Sequence, residues 1–144
     1  MTDPKEECEL LLDSLFPFAE QMLEANGEFW PFAGAMGMDG KMISVAVSYG
    51  NEAPPSPGQV IRELRMLLAA EAQSKKYRAT AVVHNARVVL PSTSKKSDAV
   101  AASLDHQSGY SVVVFYPYEI GKKELSFGSP FAQKGAADIF PAAH

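Results

Sequence analysis

Six side chains in the second half of the chain are of the types from which a polar site is built: Asn85, Arg87, Ser103, Asp105, Tyr116 and Tyr118. An arginine and a carboxylate on neighbouring strands, with tyrosines beside them, can orient a polar ligand or anchor a partner's side chain, and Arg and Tyr are favoured at binding hot spots. The same residues can equally form an internal ion pair on a solvated or helix-covered sheet. General acid or base work needs groups with tuned environments in a cleft, and nothing in the spacing implies one.

Other reactive residue types are sparse. The chain has three histidines and one cysteine, too few at recognisable spacings for a metal site, which wants three or four ligands. His84 and His106 could approach each other on an apolar sheet face, where satisfied sheet histidines are the expectation. Cys8 lies among Glu6, Glu7 and Glu9, which raise a thiol pKa, so it reads as a small apolar helix residue. The glycines of GAMGMDG fall in a hairpin and do not precede a helix, so they do not form a phosphate cradle. No cofactor is implied.

Two amphipathic helices and a run of strands must position these residues. Asp3-Pro4-Lys5-Glu6 is an N-cap acceptor, a proline at the first helical position and a glutamate three residues after the cap. Cys8, Leu11, Leu12, Leu15, Ala19, Met22 and Leu23 follow at helical spacing, giving a helix over about 4–26. Pro17 should kink or divide it, and Asn26-Gly27 should stop it. Ser56-Pro57-Gly58-Gln59 repeats the cap logic for a second helix over about 57–75, with its stripe at Val60, Ile61, Leu64, Leu67, Leu68 and Ala72.

Between the helices, residues 28–50 read as a hairpin closed at Asp39-Gly40 by a two-residue type I′ turn. That turn pairs Met36 with Ile43, Gly34 with Val45, Phe32 with Val47 and Trp30 with Tyr49 on a core face, and leaves a reverse face of small residues suited to a closely packed helix or another chain. A meander over 77–128 follows. Closing it at Ser108-Gly109 pairs Asp105 with Val112, Ser103 with Val114, Ala101 with Tyr116 and Ala99 with Tyr118. Placing the preceding strand symmetrically about Ser94 adds Asn85 and Arg87 to the face of Ser103, Asp105, Tyr116 and Tyr118. A slip of one residue would invert any strand in this scheme. The tail, 129–144, carries Phe131, Ile139 and Phe140 and should pack back onto the body, with its last few residues loose.

The fold class is α+β: a single domain over 1–144 with two main helices and one antiparallel sheet of five to six strands, in the order α-β-β-α-β-β-β-(β). That order resembles the profilin-like and roadblock-like architecture. The resemblance covers topology and implies no activity.

A chain of 144 residues with 47% hydrophobic and 21% charged residues is an ordinary globular domain. Its net charge of −4 argues against nucleic-acid binding. No apolar run approaches the ~20 residues of a membrane span. The acidic N-terminus lacks a secretory pattern and the lone cysteine suits a reducing compartment, so a cytoplasmic location is expected. Residues 1–28 hold eight acids against Lys5, whereas residues 62–96 hold eight bases against Glu63 and Glu71. The two halves either compensate each other or steer a partner.

The blocks GEFWPFAGAM, YRATAVVHNARV, KKSDAVAASLDHQSGYSVVVFYPY and FGSPFAQKGAADIF resemble a group of small, standalone bacterial proteins of uncharacterised function. The resemblance implies a bacterial cytosolic protein of one domain and brings no activity with it. By size and charge, not by motif, the chain is also similar to immunity partners of secreted toxins. The reading that follows is a non-enzymatic protein-binding module: a homodimer, an adaptor or a toxin-immunity protein. The alternative is a small-molecule binder or enzyme using the polar sheet face around Arg87.

Overall fold

The computed structural model describes residues 3–122 and 124–141. The end of the tail, expected to be loose, lies outside the described residues. Helix α1 spans Pro4–Asn26 and helix α2 spans Pro57–Gln73. Their caps form as the sequence dictates: the Asp3 and Ser56 side chains accept from the amides of Glu6 and Gln59, and Gly27 ends α1 in the left-handed region at φ 75°. Pro17 does not divide α1, which runs through it as one helix.

The sheet has seven strands, one more than the upper expectation: β1 (Phe32–Gly37), β2 (Met42–Val45), β3 (Tyr77–Val89), β4 (Lys96–His106), β5 (Ser111–Ile120), β6 (Leu125–Phe127) and β7 (Phe131–Lys134). The order is β2-β1-β3-β4-β5-β6, with β7 also on β5, and all recorded pairings are antiparallel. The extra strand has a local cause. β6 and β7 lie end to end along the same edge of β5. The register steps from Tyr118↔Phe127 to Phe115↔Phe131, so three residues oppose two in a bulge. Pro117 and Pro130 have no amide to donate there, and the ladder is bridged by Gly128 N–H to Pro117 O at 2.8 Å.

Both hairpin turns differ from expectation in the same way. In each, the glycine is the last of a three-residue loop in the left-handed region, φ 87° at Gly40 and 99° at Gly109. Gly40 N–H returns to Gly37 O and Gly109 N–H to His106 O, while Gly37 N–H donates to Lys41 O and His106 N–H to Tyr110 O. These are type I turns with a glycine bulge rather than the two-residue loops expected, of type I′ at Asp39-Gly40. The ladders are displaced by one residue: Met36 pairs with Met42, Gly34 with Ser44 and Ala33 with Val45, while Asp105 pairs with Ser111, Ser103 with Val113 and Ala101 with Phe115. Trp30 lies outside the ladder and is 49% exposed, not core.

The two helices cover opposite faces of the sheet. Leu11, Leu12, Leu15, Ala19 and Leu23 of α1 pack with Met36, Ala81, Val83, Val100, Ala102 and Leu104. Val60, Leu64, Leu68 and Ala72 of α2 pack with Ala33, Ala35, Val45 and Val82. The small residues Ala33 and Ala35 thus lie beneath a helix, one of the two readings of that face. The tail folds back to join the second cluster through Ile139.

Candidate functional site

The displaced registers split the six candidate residues between the faces. β3 pairs Asn85 with Val100 and Arg87 with Asp98, not with Ser103 and Ala101. Asn85, Arg87, Tyr116 and Tyr118 therefore share the α1 face, and Ser103 and Asp105 share the α2 face. His84 and His106 likewise fall on opposite faces and do not meet.

On the α1 face the polar groups satisfy one another. The Tyr118 hydroxyl donates to Asn85 Oδ1 at 2.8 Å, and Tyr118 is only 6% exposed. Burial pushes its phenol pKa up, as it does that of Tyr116, whose ring lies 4.7 Å from the ring of Phe16. Arg87 Nη1 stands 3.2 Å from Asp98 Oδ1, with both side chains more than half exposed. This end of the face is an open ion pair beside a tyrosine–amide bond, and the cavity of about 260 Å³ that Tyr118 lines is not lined by Asn85, Arg87 or Tyr116.

On the α2 face, Ser103 and Asp105 line a cavity of about 140 Å³ with Arg65, Ser111 and Asp138. The tail forms its rim: Gly135 N–H donates to Ser111 O at 3.2 Å, Ala137 N–H to Ser111 Oγ at 3.1 Å, and Asp138 pairs with Arg65. Burial drives the Asp105 carboxyl pKa up, opposed by the Ser111 hydroxyl, which donates to Asp105 Oδ1 at 2.8 Å, and by the nearby Arg65. Drug-sized ligands occupy pockets of roughly 300 to 1,000 Å³. This cavity is smaller and already holds its own cation and two carboxylates. Arg65 and Asp138 had no signal in the sequence, because one flanks a helix stripe and the other sits in an irregular tail.

A second polar chain joins α1 to the β4–β5 turn. His106 Nε2 lies 2.7 Å from Glu7 Oε1, and Glu7 Oε2 accepts from Arg78 Nη1 at 2.7 Å. On the other side of the ring, Nδ1 receives the Ser108 amide at 3.0 Å and stands 2.9 Å from Ser108 Oγ. Donation by the amide leaves Nδ1 without hydrogen and places the ring hydrogen on Nε2, toward the carboxylate. The sequence serine, histidine, carboxylate has the connectivity of a nucleophile relay. An acyl-transfer site also needs backbone donors free to meet an oxyanion. Here the amides of Ser108 and Gly109 are spent on His106 itself.

No protein-family model, no curated protein and no solved structure matches this chain.

The remaining chemistry is that of ordinary buried groups. Cys8 is fully buried, with its pKa raised to about 12 by burial first and then by Asp105, Glu7 and Glu9. Among the described residues, no group of three His, Cys, Asp or Glu gathers as a metal ion would need, and no helix is long and apolar enough to cross a membrane. Arg65, Lys76, Arg78 and Arg87 of the basic segment are paired with Asp138, Glu71, Glu7 and Asp98.

What remains open is the β2 edge of the sheet. Met42 and Ile43 are 41% and 40% exposed, and Met38 on the adjoining turn and Met66 on α2 are exposed as well. A groove of about 580 Å³ runs between residues 46–49 and α2, lined by Ala46, Val47, Ser48, Tyr49, Glu63, Met66 and Leu67. The Tyr49 hydroxyl donates to the Glu63 carboxylate, which lifts the phenol pKa to about 12 and lowers that of Glu63.

Proposed function

We propose that the chain is a non-enzymatic protein-binding module of the bacterial cytoplasm. The observation that carries this reading is a sheet edge with no neighbouring strand among the described residues, where Met42 on the α1 face and Ile43 on the α2 face are exposed, as are Met38 on the adjoining turn and Met66 on α2. Exposed apolar patches on a sheet edge are liabilities in a protein with no partner, and methionine adapts its shape to a bound surface. An adaptor of the roadblock-like kind and an immunity protein for a secreted toxin are two specific forms of this reading. The profilin-like or roadblock-like scaffold belongs to it only as far as the order helix, hairpin, helix, meander.

A small-molecule or enzymatic function around Arg87 gains no support from an exposed ion pair. The test of the binding reading is light scattering across concentration together with affinity capture, with Met66→Glu as the control. A mass above 15.6 kDa or a stoichiometric partner, either lost in the variant, supports it. A monomer at every concentration that retains nothing stoichiometric rejects it.

A further inference from the structure

The two edges of the sheet are built differently. The β6–β7 edge is blunted by a bulge and by Pro130, and Lys134 closes its far end, devices that discourage strand addition. The β2 edge carries Lys41 at its near end but has no bulge and no proline. No charged residue occurs from Met42 to Asn51.

The ladder shows which of its backbone groups are free. Gly37 N–H donates to Lys41 O, so Gly37 and Lys41 are a hydrogen-bonded pair. Pair types alternate along an antiparallel ladder. Ile43 and Val45 therefore turn their amides and carbonyls toward β1, while Met42 and Ser44 turn theirs outward, and the chain leaves the ladder after Val45.

We infer that the partner is a second copy of this chain and that two β2 strands pair antiparallel about a two-fold axis at Ser44, joining two sheets into one. This rests on the reading of the chain as a protein-binding module. Pairing about Ser44 sets Ser44 against Ser44 through outward-facing backbone groups and brings the outward groups of Met42 to Ala46 of the second copy, just past the end of β2. It sets Ile43 beside Val45 of the second copy on the α2 face, where Val45 already belongs to the core. The small residues Ser44 and Ala46 let the strands approach, and the interface is isologous, as a two-fold requires.

Charge and shape favour a second copy over an unrelated strand. Antiparallel pairing carries Lys41 of one copy to Val47 of the other, next to the Glu63 carboxylate in the groove. It also carries the turn that bears exposed Met38 to the residue 48–50 end of the groove, beside Met66 and Leu67. An exposed cation and an exposed apolar tip each meet a complementary surface.

The experiment is light scattering across concentration on the wild type, Ser44→Pro and Ser44→Lys. Proline at 44 removes an outward amide and leaves the β1 ladder intact; lysine at 44 opposes two ammonium groups across the axis. The expected result is a wild-type mass of twice 15.6 kDa and, in both variants, a dimer Kd raised at least about tenfold with unchanged circular dichroism. If proline disturbs folding, lysine decides. A dimer that persists in the folded variants overturns the β2 pairing and leaves the binding reading standing. A monomeric wild type that captures a stoichiometric partner does the same. A monomer that captures nothing overturns both.

Discussion

Glu7 and His106, ninety-nine residues apart, meet at 2.7 Å with both side chains under 10% exposed. The contact ties the first turn of α1 to the apex of the β4–β5 hairpin, and Arg78 of β3 adds a third strand to the tie. Removing Glu7 leaves the Arg78 guanidinium and the His106 Nε2 hydrogen without their acceptor, and breaking a buried charged contact costs roughly 3 to 5 kcal/mol. Glu7→Ala is expected to lose about 3 kcal/mol in urea unfolding and His106→Ala less, because Arg78 still holds the carboxylate. Equal losses would show that Arg78 contributes nothing.

The tail depends on a close crossing at Gly135. A Cβ there would lie 2.9 Å from Val112 N and 3.0 Å from Ser111 C, both backbone atoms that cannot swing aside. Gly135→Ala should cost on the order of 1 to 3 kcal/mol, as overpacking does, by lifting the tail from Ser111 and withdrawing Ile139 from the α2 cluster. Limited proteolysis is expected to cut the variant first between 128 and 141 while the body stays resistant. An unchanged cleavage pattern would contradict the crossing.

Asp105 and His84 give opposite responses to acid. Burial raises the Asp105 pKa above its ordinary 3.8, so the folded state holds that proton more tightly than the unfolded chain. Its contribution is most favourable below the ordinary value and is lost as pH rises through the folded one. Asp105→Asn should therefore raise Tm at neutral pH, with the difference shrinking as pH falls toward the ordinary aspartate range. Burial lowers the His84 pKa below its ordinary 6.5, so stability from this residue is present above 6.5 and is lost on acidification through the folded value. His84→Gln should flatten that part of the Tm–pH curve, and a slope identical to wild type would rule the assignment out.

Cys8 should be silent in the folded protein. A fully buried thiol with its pKa near 12 offers almost no thiolate at mild alkaline pH. Disulfide-exchange reagents are expected to label it at a rate that follows unfolding, rising with denaturant, while denatured protein reacts at once. Fast labelling under native conditions would mean that α1 opens locally.

Arg87→Ala should change stability by no more than about 1 kcal/mol, the usual worth of an exposed pair. Tyr118→Phe should cost about 1 kcal/mol, by loss of the buried hydroxyl's bond to Asn85. Urea unfolding of both variants tests the order. A larger loss at Arg87 would mean that this ion pair does more than its exposure implies.

Local chemistry in the chain determines the helices, their caps, the apolar stripes and the positions of both turns. Asp3-Pro4 and Ser56-Pro57 satisfy helix amides with neighbouring atoms, and the stripes repeat at the helical period whatever lies across from them. Strand register depends on more. Asp39-Gly40 and Ser108-Gly109 mark where the chain reverses, but a glycine in the left-handed region serves a two-residue or a three-residue loop equally well, and the difference moves every facing pair by one. With a side-chain period of two, the slip at Ser108-Gly109 separates Ser103 and Asp105 from Tyr116 and Tyr118, and a three-residue displacement across the β3–β4 connection separates them from Asn85 and Arg87. The tertiary structure decides it by burial: α2 packs on Ala33, Ala35 and Val45 together, and α1 on Met36, Val100 and Leu104. Arg65, Asp138 and Glu7 find their partners only through that packing, because a side-chain contact across 71 to 99 residues leaves no periodic trace in a single sequence.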